Sequence, residues 1–144
     1  FSLVKEHLKE GGVMVVNMNM HSAGEGNIND YLTDTIASVF GTVCTADVKG
    51  TTNRELFASD NPKIAEVLKS SAAELKDPQL RGAMNDVAGS LSFASGGDFI
   101  LTDDKAPVEL LGIQVIDRLI QTEAAYYKKI LQENGIRGLA EQLL

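Results

Sequence analysis

Phe1-Ser2-Leu3-Val4-Lys5-Glu6-His7-Leu8-Lys9-Glu10-Gly11-Gly12-Val13-Met14-Val15-Val16-Asn17 is the stretch that decides the fold. Leu3, Val4 and Leu8 share one face of a helix over residues 1–10, and Gly11-Gly12 permit the left-handed turn that ends one. Val13 to Val16 is then apolar at every position instead of alternating. That pattern predicts a strand covered on both faces, as in a parallel sheet sandwiched by helices. Helix, glycine stop and apolar strand follow one another as in an α/β chain.

Downstream, Met18 to Asn27 is polar and glycine-containing, a loop. Asn27 or Asn29 can cap the next helix, in which Ile28, Leu32, Ile36, Val39 and Phe40 recur at helical spacing until Gly41. Thr42–Val48 and Asn53–Ala58 are two strand-like runs separated by Lys49-Gly50-Thr51-Thr52, which predicts an antiparallel hairpin with Gly50 at the demanding turn position. Asn61-Pro62 and Asp77-Pro78 each start a helix, the first with Ile64, Val67, Leu68 and Leu75 on one face, the second with Leu80, Met84, Val87 and Leu91. Ser95-Gly96-Gly97 is a break before Phe99-Ile100-Leu101-Thr102-Asp103-Asp104-Lys105-Ala106-Pro107-Val108-Glu109, an apolar run that ends in two acids and a proline-started helix. Beyond Pro107 the pattern is helical to about Gln132, Asn134-Gly135 stops it, and Ile136–Leu144 makes a further short helix.

The 144 residues carry 13 Lys and Arg against 20 Asp and Glu, a formal net charge of −7. Such a chain repels phosphate backbones and suits cationic partners, so nucleic acid is not expected as a ligand and amines are compatible. The lone cysteine, Cys44, has no partner for an internal disulfide and reads as a small apolar filler of a reducing compartment, which points to the cytoplasm. No apolar run approaches the roughly 18 residues of a membrane span, so no membrane contact is expected of this stretch. His7 and His21 have no carboxylates or thiols at ligand spacing, and no metal site is expected. Met14, Met18, Met20 and Met84 read as core filling. Gly24-Glu25-Gly26-Asn27-Ile28-Asn29 imitates a dinucleotide fingerprint, yet Asn29 stands where the third glycine belongs and Gly24 lies well beyond Val16, which leaves a mononucleotide site there as the weakest reading.

In their order along the chain, 1–17, Asn53-Arg54-Glu55-Leu56-Phe57-Ala58-Ser59 and Leu101–Glu109 resemble the spermidine-synthase-like family, a branch of the class I methyltransferase fold. The resemblance implies an α/β chain. It would hold the C-terminal half of a Rossmann-like, class I methyltransferase-type sheet with a final antiparallel hairpin strand, plus an α-helical C-terminal extension. Residues 1–60 would form the half-sheet and 61–144 a helical extension packed on it, one compact domain overall. The family transfers an aminopropyl group from decarboxylated S-adenosylmethionine to an amine.

By that resemblance Asn17, which ends the family's fifth strand, seats the amine substrate, and Asn19 faces the same cleft. Asp103 and Asp104 occupy the place of a pocket-lining motif whose aromatic residues are missing here. Two carboxylates there hold a ligand's charge more than its methylenes. Read without the resemblance, Asn17 is a ligand contact or a turn residue, Asp103 or Asp104 binds an amine or caps the helix at Pro107, and Glu109 is a first-turn acid.

The family's Gly-rich cofactor loop and its acidic catalytic motif have no counterpart in this sequence. No catalytic or cofactor-binding residue is therefore expected in it, and decarboxylated S-adenosylmethionine or S-adenosylmethionine would be bound by a longer parent protein. The expected partners are the N-terminal half of that parent, a second copy of this chain along the 13–16 edge, and a polyamine-type small molecule. The contrasting expectation is a non-catalytic oligomerisation or small-molecule-binding domain that keeps the fold.

Overall fold

The computed structural model describes residues 1–19 and 25–143. Met20, His21 and Gly24, named above, lie outside the described residues. The chain divides into two compact units, Phe1–Ala106 and Pro107–Leu144. By that division residues 61–106 share a unit with the sheet. In chain order the first unit holds α1 (Ser2–His7), β1 (Met14–Asn19), α2 (Ile28–Ala37), β2 (Thr42–Asp47), β3 (Asn53–Ser59), α3 (Ile64–Glu74), α4 (Pro78–Ser90) and β4 (Ser92–Ala94). The second is α5 (Val108–Leu143), interrupted at Gly135, whose φ of 65° lies in the region that glycine tolerates. The stop at Asn134-Gly135 is thus where the sequence puts it.

The fold is mixed α/β around a four-stranded sheet of order β1-β3-β2-β4. Every neighbouring pair is antiparallel. The hairpin is as expected: β2 and β3 pair from Thr42↔Ser59 to Asp47↔Arg54, and Gly50 turns the chain with φ 79°. The parallel pairing expected of Val13–Val16 is not found among the described strands. β3 inserts between β1 and β2, which run in the same direction, and pairs antiparallel with both.

Among the described residues β1 consequently has a sheet partner on one side only. Its two faces also differ. Met14, Val16 and Met18 pack on the core cluster of Ile36, Phe40, Val43, Leu56 and Ala58, while Val13 and Val15 remain 41% and 54% exposed. Cover on both faces therefore does not hold among the described residues. An apolar run measures how much burial a strand favours; it does not say which elements supply the cover.

α2 covers one face because Leu32, Ile36 and Ala37 fall on its apolar stripe. It ends at Ala37, earlier than the periodicity suggests, since the N–H groups of Val39 and Phe40 turn back onto the Ile36 carbonyl. Of its two possible caps Asn27 is the one used. On the other face Cys44, Phe57, Ile64, Val67, Leu68 and Leu91 line an apolar groove of about 260 Å³ that also takes in Val13 and Val15. β4, three residues long, extends the sheet beyond β2 where the sequence suggested only a break after the helix. No helix among the described residues is long and apolar enough to cross a membrane.

Candidate functional site

The carboxyl ends of β1 and β2 meet the amino end of β3 and the start of α2, the edge of an α/β sheet where ligands usually bind. Asn17 lies in β1 opposite Glu55 of β3, and its side chain is exposed. Side chains alternate along a strand. With Met14, Val16 and Met18 toward α2, Asn17 projects from the other face. Asn19 closes β1 opposite Asn53; its side chain lies outside the described residues.

On the α2 side of the same rim, Arg54 donates from Nε to Asp47 Oδ1 at 2.6 Å and from Nη2 to Asp47 Oδ2 at 3.2 Å. This paired hydrogen bond pushes the guanidinium pKa up, and the charge of Asp30 acts in the same direction. Asp30 also closes the start of α2. Its Oδ2 accepts from Gly26 N at 2.8 Å, Asn27 N at 3.2 Å and Asn27 Nδ2 at 2.9 Å, while Asn27 Oδ1 accepts from Asn29 N at 2.8 Å and Asp30 N at 3.3 Å. The amides that would cradle a phosphate are held by the chain's own acid and amide, which removes the basis of the mononucleotide reading at residues 25–29.

The acidic stretch is reached by a strap that crosses α2. Asp34 Oδ2 accepts from Phe99 N at 3.0 Å, and Thr35 Oγ1 accepts from Leu101 N at 2.8 Å. The Phe99 ring packs on Tyr31 with centroids 5.0 Å apart. Thr102 and Lys105 then exchange backbone hydrogen bonds of 3.2 and 2.9 Å, which puts Asp103 and Asp104 at the tip of a tight turn. Both acids are exposed, and neither carboxylate has a hydrogen bond or ion pair among the described residues. Neither therefore caps α5.

The described residues show no contact between the Asn17 side chain and the acidic turn: the former projects from the sheet face away from α2, the latter follows a strap fastened to α2. Asp34 and Thr35, which hold that strap, were not recognisable from the sequence as anything but helix positions. The available signal was the polar run Thr33-Asp34-Thr35 within an amphipathic helix, and that pattern names no partner.

A cleft of about 530 Å³ lies at the other end of the sheet, between Gly11-Gly12, Phe40 and Asp60-Asn61-Pro62. Lys5 donates there to Val39 O at 2.8 Å and Asp60 Oδ1 at 2.9 Å, and Gly41 N donates to the same Asp60 oxygen at 3.0 Å. The Lys5 hydrogen bond, then that of Gly41, holds the Asp60 carboxyl below its ordinary range. This arrangement ties α1 to the end of β3 at the amino ends of β1 and β2, away from the rim where ligands of such sheets sit. Cys44 is fully buried, and burial pushes its thiol up, away from the nucleophilic thiolate. Among the described residues no three His, Cys, Asp or Glu side chains gather as metal ligands would.

Aligned over 156 positions, the chain is 47% identical to a protein of Bifidobacterium longum (strain NCC 2705) described as a probable polyamine aminopropyl transferase. The alignment takes in 96% of this chain and 35% of the relative, so the chain spans about a third of the length of the curated relative it matches. No family model matches. No solved structure matches either.

Proposed function

We propose, from the premise that the chain belongs to the spermidine-synthase-like family of polyamine aminopropyltransferases, that it completes the sheet of a longer aminopropyltransferase and contributes to the amine side of its cleft. The observation that carries this is the arrangement β1-β3-β2, in which an antiparallel last strand lies between two codirectional ones joined through α2. A Rossmann-like, class I methyltransferase-type sheet closes in this way. Decarboxylated S-adenosylmethionine is the cofactor of such a transfer, with S-adenosylmethionine and methyl transfer as the related chemistry. In this reading its binding falls to other parts of the longer polypeptide, and this stretch alone is expected to perform no transfer.

In this reading Asn17 and Asn19, at the carboxyl end of β1, seat the amine by hydrogen bonding. Asp103 and Asp104 supply negative charge as a separate contact. A primary amine must lose a proton before it attacks, and a carboxylate near it both orients it and accepts that proton. Neither Asp103 nor Asp104 is assigned that role; they hold the charge of an ammonium that does not react. For residues 1–144 alone a homodimer along the β1 edge takes the place of the rest of the sheet, and residence in the cytoplasm completes the proposal.

The test is aminopropyl transfer to putrescine and spermidine by the protein at its full natural length. Turnover is expected there and not from residues 1–144 alone. Asn17→Ala and Asp103→Asn/Asp104→Asn should each raise KM for the amine about tenfold, the loss of one charge-assisted contact. Amine binding without turnover at full length would favour a non-catalytic binding domain, and neither binding nor turnover would reject the reading.

A further inference from the structure

We propose that Asp34 and Thr35 are positioning residues, a two-point clasp on α2 that fixes the strap 97–101 and, through it, where Asp103 and Asp104 are presented. The inference deepens the function proposed above and rests on it for the amine; the clasp itself rests on geometry alone.

Asp and Thr are middling helix formers, and α2 gains nothing from them as helix residues. Both are nevertheless buried, at 8% and 9% exposure, on the side the strap crosses. The Thr35 hydroxyl donates its proton to the Tyr31 carbonyl at 2.6 Å, which fixes its rotamer and turns its lone pairs toward the Leu101 amide. Asp34 takes the Phe99 amide, two residues earlier. Between the two anchors the chain is folded into a tight turn, Ile100 N donating to the Asp98 carbonyl at 3.0 Å, and the Phe99 and Leu101 amides on either side of Ile100 are the ones left to meet α2.

Two further features fit only this docking. A Cβ on Gly97 would come within 2.5 Å of Asp34 Oδ2, so a side chain there would push the strap off the carboxylate. The Phe99 ring fills the space between Tyr31 and Gly26, where a Cβ would stand 3.4 Å from it. From the Leu101 anchor to Asp103 the chain is two residues long, at most about 7 Å. The turn at Thr102–Lys105 is itself closed by two hydrogen bonds. The carboxylates therefore go where the clasp sends them.

The experiment is amide hydrogen exchange and amine titration on the full-length protein as wild type, Thr35→Val, Asp34→Ala, Asp34→Asn and Asp103→Asn/Asp104→Asn, with spermidine as probe. Thr35→Val keeps the shape and removes the acceptor; exchange at Leu101 should quicken about tenfold or more, while sheet amides such as Leu56 and Cys44 stay within about twofold. Asp34→Ala should do the same at Phe99, and Asp34→Asn, which keeps an acceptor, should restore protection. Both loosening variants should weaken spermidine binding several-fold. Unchanged strap exchange in a folded Thr35→Val protein would overturn the clasp even if Asp34→Ala fails to fold. Faster exchange with spermidine affinity intact, when the Asp103/Asp104 variant has lost it, would overturn the positioning role. If the Asp103/Asp104 variant also keeps its affinity, the amine reading falls, and the exchange data alone decide the clasp.

Discussion

Replacing Val15 with lysine should leave the fold of the first unit nearly untouched and weaken association sharply. Val15 is 54% exposed in a strand with a partner on one side, so a longer polar side chain there meets water, and a change within about 0.5 kcal/mol of stability is expected. Association is another matter. Full burial of a valine side chain is worth about 1.5–3 kcal/mol, and the 54% still exposed here corresponds to about 0.8–1.6 kcal/mol per copy if a partner covers it. A two-fold interface uses the residue twice, so the lost apolar contact alone amounts to about 1.6–3.2 kcal/mol, or about 15- to 200-fold in the dissociation constant. Stripping water from the new ammonium adds to the loss in the same direction. Sedimentation equilibrium over a range of concentrations reads the dissociation constant, and urea denaturation at a concentration where both proteins are monomeric reads the fold. A wild-type chain that stays monomeric throughout, or a Val15→Lys chain with an unchanged constant, would refute the reasoning.

Leu56→Ala should destabilise the protein by about 2–5 kcal/mol, because Leu56 is fully buried on β3, the strand held from both sides. Phe93→Ala, a larger truncation at an exposed site on β4, should cost far less in the same denaturation experiment, and equal losses would mean that the core lies elsewhere. The Asp60 carboxyl titrates below its unfolded value, so its bonds to Lys5 and Gly41 stabilise the fold above the unfolded pKa, and that stabilisation is lost as pH falls through the folded one. Wild-type stability should therefore drop more steeply in acid than that of Lys5→Met, the gap between them narrowing to a constant below the folded pKa of Asp60, since the Lys5 bond to the Val39 carbonyl does not titrate. Parallel pH profiles would show that the Lys5 contact does not govern this carboxyl.

Local signals carried most of the secondary structure. Asn27, Gly50, Pro78 and Gly135 each work by restricting or freeing the backbone of one or two residues, and each marks a boundary close to where it is found, whereas Gly11-Gly12 does not cap α1, which ends at His7 with Leu8 already extended. The hairpin was legible for the same reason. The direction of pairing at β1 was not, because an apolar tetrapeptide looks alike beside a parallel or an antiparallel neighbour, and the neighbour here, β3, lies some forty residues downstream. β4 escaped because three residues hold too little pattern to separate a strand from the end of a helix. At the candidate site the sequence supplied names without distances. Asp103-Asp104 was visible as an acid pair, but its support is the Phe99 and Leu101 amides bound to side chains more than sixty residues away.

The two edges of the sheet are not alike, and the contrast bears on what β1 is for. Natural sheets blunt a free edge with short strands, charges, proline or bulges. β4 is blunted by its length of three residues. β1 has six residues, Met14-Val15-Val16-Asn17-Met18-Asn19, with no charge and no proline, and it pairs with β3 residue for residue without a bulge. An apolar groove containing Val13 and Val15 opens beside it. An edge of this length and composition left to water favours aggregation, so its chemistry suits a covered position. A second copy and another stretch of a longer polypeptide are the two covers the proposed function allows, and Val15→Lys separates them. If the cover is a second copy, the variant dissociates but folds at any length. If it is more of the same polypeptide, residues 1–144 tolerate lysine while the full-length protein loses stability.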